Sequence, residues 1–187
     1  NWVDLNENDG GFITGLGGPI DGAIWAFKYR QIWKLVPTGV VDTPYIPKRR
    51  TTGIGCIEHR TIAMSEDEAG RPALYFLSHK GPYRIGHNGL QYLGKDNEDI
   101  WTTMNLGATT TVAWTLWYPD LHQVWFHIAT SSGNDPGTRM VFDVRLGREV
   151  EDGFIRGGWS KHTGNAPSAR CGTRFANTLG ASMSRDL

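Results

Sequence analysis

Clustered carboxylates are the first residues of this sequence whose type suits catalysis, because glycoside hydrolysis uses two carboxyl groups that face one glycosidic bond. Two loops carry such clusters: Asp96, Glu98 and Asp99 in the first, and Glu149, Glu151 and Asp152 in the second. Residues that are neighbours in the sequence do not by themselves face each other across a substrate. The clusters are therefore typical of solvated loops, and a glycoside hydrolase is the weakest functional alternative.

Histidine could supply metal ligands or a general base, and the chain has six histidines. No pair has the spacing of a zinc-binding helix, and no Cys-x-x-Cys motif occurs. His79, His87 and His122 fall in predicted turns, and a metal site assembled from distant parts of the chain remains an alternative. The two cysteines, Cys56 and Cys171, indicate separate buried thiols rather than a disulfide framework.

Motifs for nucleophilic or phosphate chemistry are weak or absent. The sequence has no Gly-x-Ser-x-Gly elbow. The glycine-rich run 13–18 lacks the helix and the Lys-Ser/Thr pair of a phosphate loop. The oxygen-rich run 4–10 lacks the glycine and glutamate that complete a calcium loop. We therefore expect no catalytic, cofactor-binding or metal-ligating residue, no cofactor and no enzymatic activity.

Composition narrows the fold and the partners. Lys+Arg and Asp+Glu are both 19, so the net charge is zero, whereas surfaces for nucleic acid or anionic membrane usually carry a cationic excess. We expect neither sequence-specific nucleic-acid binding nor a membrane partner. The 24 glycines supply tight turns, and the 8 tryptophans suit pleated, half-buried sheet faces. Both features favour an all-β fold.

A hairpin-like stretch recurs at a fixed interval of fifty residues. Residues 23–39 and 73–89 align without a gap, each with an aromatic residue in both of its predicted strands. The aligned pairs are Ala23/Ala73, Ile24/Leu74, Trp25/Tyr75, Phe27/Leu77, Trp33/Tyr83, Lys34/Arg84, Leu35/Ile85 and Gly39/Gly89. A third copy places Val124 and Trp125 at the Leu74 and Tyr75 positions. Its turn, 131–137, is longer, and its second strand, 139–146, is predicted to set Phe142 against the Tyr83 position.

Each hairpin has a predicted strand before it and another after it, which makes four short antiparallel strands per unit. The flanking strands are predicted at 12–16 and 40–46, at 57–64 and 90–93, and at 111–118 and 158–162. Units of this length and content are typical of β-propeller blades. The blade units are 12–50, 51–105, 109–163 and a partial unit at 166–187, within one segment 1–187, and no useful helical segment is predicted between them.

Aromatic side chains at equivalent positions are expected to pack between neighbouring blades. Trp25, Tyr75 and Trp125 form one set, and Trp33, Tyr83 and Phe142 form a set one strand further out. About three and a half blades are visible, whereas a propeller ring uses four to eight. The remaining blades would come from more of the same chain or from another chain. A non-propeller stack of meanders, such as a distorted sandwich, is the structural alternative.

The amino-acid sequence of the repeats resembles that of β-propeller virion proteins of tailed bacteriophages. The resemblance rests on the runs 13–16, 24–28 and 32–35, on 52–56 leading to 74–84, and on 158–164 followed by 169–171. Pro82 departs slightly from the usual small or apolar residue, and the pattern fades after Leu179. The resemblance implies a structural or adhesive part of a virion, located at the tail or neck. Its implied partners are other virion proteins and copies of itself.

Surface loops commonly carry binding, so partner contact is predicted for three of them: 40–51, 94–98 and 131–138. A propeller that binds a host-surface glycan or receptor is the main functional alternative, because tryptophan stacks on sugars. Four tryptophans lie outside the aligned hairpin positions and would be the candidates for it: Trp101, Trp114, Trp117 and Trp159. Trp114 and Trp117 are predicted to point to opposite faces of their strand, so that one of them could be exposed.

Overall fold

The computed structural model describes residues 3–5, 11–130, 136–150 and 154–163. Most of these residues lie in short β-strands that follow one another as antiparallel meanders, with two short α-helices between them. The strands are β1 Ile13–Ile20, β2 Ala23–Lys28, β3 Ile32–Pro37, β4 Tyr45–Thr51, β5 Ala63–Glu66, β6 Pro72–Ser78, β7 Gly81–Gly86, β8 Gly89–Tyr92, β9 Trp114–Tyr118, β10 Gln123–Ile128, β11 Thr138–Asp143, β12 Arg148–Val150, β13 Phe154–Arg156 and β14 Trp159–Thr163. The helices are α1 Glu98–Thr102 and α2 Leu106–Val112.

The strands form three sheets, each built on a four-stranded antiparallel meander. Sheet 1 has the order β1-β2-β3-β4, sheet 2 contains β8-β7-β6-β5, and sheet 3 has the order β14-β11-β10-β9. This confirms the predicted all-β fold and the predicted four-stranded units. None of the sheets closes on itself within the described residues.

Strand pairing confirms that the hairpins repeat in register. Ile24 pairs with Leu35 in sheet 1, and Leu74 pairs with Ile85 in sheet 2. Both members of the second pair therefore lie fifty residues after the corresponding members of the first. In sheet 3, however, Val124 pairs with Phe142. Phe142 therefore occupies the Ile85 position, and the predicted match to Tyr83 was wrong. The long 131–137 turn obscured this register in the sequence.

The two faces of each sheet alternate along the strands, because successive side chains point to opposite sides. Face A is the side that carries Ile24, Leu74 and Val124, and face B is the side that carries Trp25, Tyr75 and Trp125. One hydrophobic core joins face B of sheet 1 to face A of sheet 2, and the other joins face B of sheet 2 to face A of sheet 3. The sheets are therefore stacked in chain order, each turned the same way.

The sheets approach most closely at their first strands. Strand β1 contacts β5 and β6, and β9 also contacts β5 and β6. Two glycines make the approach of β1 possible, because a Cβ on Gly17 would lie 2.8 Å from a Leu74 methyl, and one on Gly15 would lie 2.5 Å from an Ile62 methyl. The first strands of the three sheets therefore lie close together.

The segments between sheets differ from the prediction. The run 57–64 was expected to be a strand, but residues 59–61 form a 3₁₀ helix closed by Thr61, and β5 begins only at Ala63. The absence of helices was also wrong, because α1 and α2 fill the space between sheets 2 and 3. The strand predicted at 111–118 begins only at Trp114, because the Asn105 side chain accepts a hydrogen bond from the Ala108 N–H and caps helix α2, which ends at Val112.

The last strand of sheet 1 starts later than predicted. The prediction placed it at 40–46, whereas β4 begins at Tyr45. The intervening residues form a turn, in which the Thr38 N–H donates to the Pro44 carbonyl and the Thr38 hydroxyl accepts from the Val40 N–H. The predicted fourth unit at 166–187 and Cys171 lie outside the described residues.

A hairpin that lies between two strands of sheet 3 in the chain pairs with the edge of sheet 2. Between β11 and β14 the chain forms β12 and β13, and Phe154 of β13 pairs in parallel with Tyr92 of β8. The Trp159 indole N–H donates to the Leu93 carbonyl at 2.8 Å beside this junction. The hairpin covers the outer edge of sheet 2 and ties the second and third sheets together.

Candidate interaction surfaces

Two carboxylates of the predicted clusters make contacts between sheet elements. Asp96 accepts a hydrogen bond from the Gly157 N–H at 2.6 Å, and Glu149 accepts one from the Asn88 amide at 2.7 Å. Both contacts hold the β12–β13 hairpin to sheet 2. Glu151 and Asp152 lie outside the described residues. Asp96 and Glu149 therefore stabilise the junction between two sheets, whereas Glu98 pairs with Lys95.

Metal-binding groups are not brought together in the part of the chain that the structure describes, where no three His, Cys, Asp or Glu residues form a cluster. His79, His87 and His122 lie in turns, as predicted. Cys56 is fully buried, and its thiol donates to the Glu58 carbonyl at 3.1 Å. Burial raises the pKa of Cys56 to about 12, which keeps the thiol protonated and unreactive.

A buried ionic network crosses one end of sheet 2. The Arg84 side chain is only 2% exposed, and two of its nitrogens donate to the Gln91 amide oxygen at 3.0 and 2.6 Å. Its third nitrogen forms an ion pair with Glu68. Burial by itself would raise the pKa of Glu68, but the hydrogen bond from Arg84, a backbone hydrogen bond and the Arg84 charge together hold this pKa below its usual value. All three side-chain nitrogens of Arg84 therefore have an acceptor, whereas the Gln91 amide nitrogen is buried without a hydrogen-bond partner in the described residues.

Two of the predicted contact loops are described well enough to assess. Of the predicted 40–51 loop, only residues 40–44 form a loop, with Val41 84% exposed, because residues 45–51 form the basic edge strand β4. The 94–98 loop is held within the chain by the Asp96 contact to Gly157. The third loop, 131–138, is described only from residue 136. The 40–51 loop is therefore the best exposed of the predicted contact segments among the described residues.

Face A of sheet 1 is an apolar surface that belongs to neither core cluster of the described residues. Directly opposite residues of a ladder share one face, so strand pairing identifies its members as Leu16, Ile24, Ala26, Trp33, Leu35, Pro47 and Arg49. Leu16 is 49% exposed, and Ile24, Trp33 and Leu35 are half-buried. The Arg49 guanidinium lies over the Trp33 ring at 5.9 Å. Sequence reasoning missed this surface because its residues read as core.

Face B of sheet 3 is the second end face. Trp125 is half-buried and stacks on Tyr118 at 5.4 Å, with the Arg139 guanidinium 4.7 Å from its ring centre. His127 stacks on Trp114 at 3.7 Å. Burial, assisted by the Arg139 charge, lowers the pKa of His127 to about 3. This face is aromatic and cationic, and none of its residues belongs to either core cluster.

The first set of aromatic residues has the predicted orientation but not one uniform environment. Trp25 packs in the core between sheets 1 and 2, and Tyr75 is fully buried between sheets 2 and 3. Trp125 points the same way from its sheet, but in the described residues its ring contacts only its own sheet. In the second set, Trp33 lies on face A of sheet 1, whereas Phe142 is fully buried. The difference follows from position in the stack.

The four remaining tryptophans mostly build the core. Trp101 is 3% exposed, and Trp117 and Trp159 pack against the core between sheets 2 and 3. Trp114 pairs with His127 on the opposite face, so the prediction that Trp114 and Trp117 point apart was right. No tryptophan of the described residues is fully exposed. None of these four therefore presents an open ring for a sugar.

One cleft of about 600 Å³ opens beside the start of β1. Its lining combines apolar, hydroxyl and carboxylate groups, from Phe12, Ile13, Thr14, Tyr29, Ile57, Glu58 and Thr110. The Tyr29 ring is held by stacking on His79 at 5.4 Å. The cleft offers two aromatic rings, Phe12 and Tyr29, and one carboxylate, Glu58, which suits binding better than catalysis by a carboxylate pair.

Comparison with known proteins adds no relative. No protein-family model matches the chain, and a search of curated proteins finds no match. No helix in the described residues is both long and apolar enough to cross a membrane.

Proposed function

We propose that this protein is a non-enzymatic assembly module, a segment of a β-propeller that serves as a rigid scaffold in the tail or neck of a tailed-phage virion. The single observation that carries the scaffold role is the stack of three equally oriented meanders whose first strands converge. The virion setting is supported by the resemblance of the repeat text described above. A scaffold of this kind works by stiffness and by the surfaces that it presents.

Stiffness is supported by the links between successive sheets. Sheets 1 and 2 share one hydrophobic core, and sheets 2 and 3 share another. The β12–β13 hairpin adds a hydrogen-bonded connection from the third sheet to the second. Assembly by such a module needs complementary surfaces and no nucleophile. The apolar face A of sheet 1 and the exposed 40–51 loop are available for that purpose.

The test is to locate the chain. Particles released from the strain that carries the gene would be purified on a density gradient and analysed by peptide mass spectrometry. We expect the chain in the particle fraction, with immunogold label at the tail or neck. A known capsid protein and a host cytosolic protein serve as positive and negative controls. If the chain stays entirely in the particle-free fraction, the virion role is wrong.

Glycan binding is the second candidate, because the cleft beside β1 combines the stacked Tyr29 ring with the Glu58 carboxylate. Aromatic stacking with a polar partner is a common way to hold a sugar. A glycan array with the purified chain should then show binding that Tyr29→Ala abolishes, while Tyr45→Ala on the edge strand β4 leaves it unchanged. Binding that survives Tyr29→Ala would rule out this cleft.

A further inference from the structure

We infer that face A of sheet 1 docks on face B of sheet 3 of a second copy of this chain, so that two copies complete one ring head to tail. This inference deepens the proposed assembly role and rests on it. The chain already contains two interfaces between sheets. They show which residue types pack against face A and which pack against face B.

Each internal interface joins the same two kinds of face. Trp25 and Phe27 of face B of sheet 1 pack against Leu74 and Phe76 of face A of sheet 2. Tyr75 of face B of sheet 2 packs against the third sheet's face A in the same way. In both interfaces within the chain, face A of one sheet therefore packs against face B of the preceding sheet.

The end faces carry the same residue types at the same register positions. In sheet 1, Ile24 and Leu35 hold the places that Leu74 and Ile85 hold in the filled interface of sheet 2. Trp33 likewise corresponds to Tyr83, which packs against the core between sheets 1 and 2. Face A of sheet 1 is therefore a receiving surface without a described occupant.

The complementary surface lies at the other end of the same stack. Trp125 occupies the position equivalent to Tyr75, and its cross-strand neighbour Leu116 extends an apolar patch beside it, while the other neighbour, Val141, is already buried. Trp125 and Leu116 are both half-buried. An occupant with the features of face A would cover this patch as Val124 and Phe126 cover Tyr75 in the core between sheets 2 and 3.

Head-to-tail pairing of unlike faces forms a ring when the rotation closes and a filament when it does not. Two copies bring together six sheets, which lies within the four to eight blades of known propellers. The convergence of the first strands gives the stack the curvature that closure needs. A second copy is therefore the occupant that satisfies both end faces at once.

The experiment measures mass by light scattering after gel filtration, with one variant for each end face. Leu16→Lys places a charge on face A, and Leu116→Lys places one on face B. Leu146→Lys is the control, because Leu146 is an exposed leucine in the turn after β11, at 62% against 49% for Leu16, and lies on neither end face. We expect the wild type and the control at twice the chain mass of 20.8 kDa, and each face variant at the chain mass.

Mixing the two face variants tests the head-to-tail geometry. Each variant keeps one intact face that complements the intact face of the other, so the mixture should regain pairs, bound at least about tenfold more weakly than the closed ring. A mixture that stays at the chain mass would contradict head-to-tail pairing of these two faces, and the proposal would be wrong. Circular dichroism must first show native folding, and Leu16→Ser and Leu116→Ser replace any lysine variant that fails.

The other possible results of the mass measurement also test the proposed pairing. A wild type at the chain mass at all concentrations shows that the two faces do not join copies, which overturns the inference. Face variants that remain at twice the chain mass overturn it as well, and higher multiples overturn the two-copy ring. These results are independent of location, because a monomeric chain found in virions would keep the proposed function, and a paired chain absent from virions would keep only this inference.

Discussion

Single residues show where this protein tolerates buried polarity. Arg84 and His127 are both buried, yet they are accommodated differently. The Arg84 charge is balanced by Glu68 and Gln91, whereas His127 has no hydrogen-bond partner for its Nε2 within the described part of the chain. A buried charge needs partners, while a buried imidazole can avoid charge by losing its proton. We therefore expect different effects: the stability contributed around Arg84 depends on its partners, whereas that around His127 depends on pH.

For the Arg84 network, we predict that Gln91→Leu destabilises the fold by about 2–3 kcal/mol, although leucine is more apolar. The substitution leaves a buried, charged donor without its acceptor. Arg84→Met combined with Gln91→Leu should recover most of that loss, because no buried charge is then left unpaired and the Glu68 carboxylate, 35% exposed, is solvated. Urea denaturation of both variants measures the difference. The exposed pair Lys95–Glu98 supplies the control, and Glu98→Gln should change stability by less than about 0.5 kcal/mol. A double variant less stable than Gln91→Leu would contradict this account.

For His127, we predict that stability falls by about 2 kcal/mol from pH 7 to pH 5. The folded pKa is about 3, whereas the unfolded histidine has its ordinary value of about 6.5. Between these values the unfolded state binds the proton and the folded state does not, so stability rises with pH across the window. His127→Phe keeps the stacking on Trp114 and should remove this slope, and His87→Phe at an exposed turn should leave it. An unchanged slope in His127→Phe would contradict the prediction.

At the scale of elements, the segments that connect the sheets limit the fold as much as the strands do. The segment 52–62 returns from the outer strand β4 to the inner strand β5. It passes so close to the β2–β3 turn that the Cys56 N–H donates to the Lys28 carbonyl at 3.1 Å. A Cβ on Gly55 would lie 1.9 Å from the Lys28 carbonyl oxygen. The packing of sheet 1 on sheet 2 therefore depends on a glycine outside both sheets.

Two glycines of this segment provide a matched test. Gly55→Ala should destabilise the protein by about 3 kcal/mol, because the obstacle is main chain and cannot turn aside. Gly53→Ala, two residues earlier, should change stability by less than about 0.5 kcal/mol, because a Cβ there meets nothing within 4 Å. Thermal unfolding of both variants measures the difference. Equal unfolding temperatures for the two variants would show that the segment can move away at little cost.

At the scale of the whole molecule, the order of the stack decides which sheet is most stable. Sheet 2 is covered on both faces by its neighbours and at its outer edge by β13. Residues 73–78 of its central strand are all buried. Strand β4, in contrast, is an edge strand whose residues are mostly exposed, and its Pro47, Lys48 and Arg49 protect an open edge from pairing with other chains.

Native-state hydrogen exchange should therefore separate the two strands. Amides of β6 are expected to exchange only through global unfolding, while amides of β4 exchange through local opening at a much lower free energy. Measurement at increasing, sub-denaturing urea concentrations distinguishes the two routes, because only global opening depends steeply on urea. Similar protection of β4 and β6 would mean that the three sheets open as one unit.

The sequence by itself determined the repeating unit. The fifty-residue spacing of Trp25 and Tyr75, and the alternation around them, specified the hairpins and their register in the first two sheets, because side-chain period and cross-strand pairing are local properties. Local patterns also predicted that Trp114 and Trp117 point apart. They were insufficient for Phe142, because the long turn before it hid the register of the third hairpin.

Only the tertiary structure decided which face of each sheet meets a neighbour and which remains available. Ile24 and Leu74 look alike in the sequence, yet Leu74 is fully buried and Ile24 is not, because sheet 1 stands at the end of the described stack. Helix α2 and the β13 contact with β8 likewise depend on capping and on partners distant in the sequence. Burial by a neighbouring sheet is a property of the assembly, and no local pattern of residues encodes it.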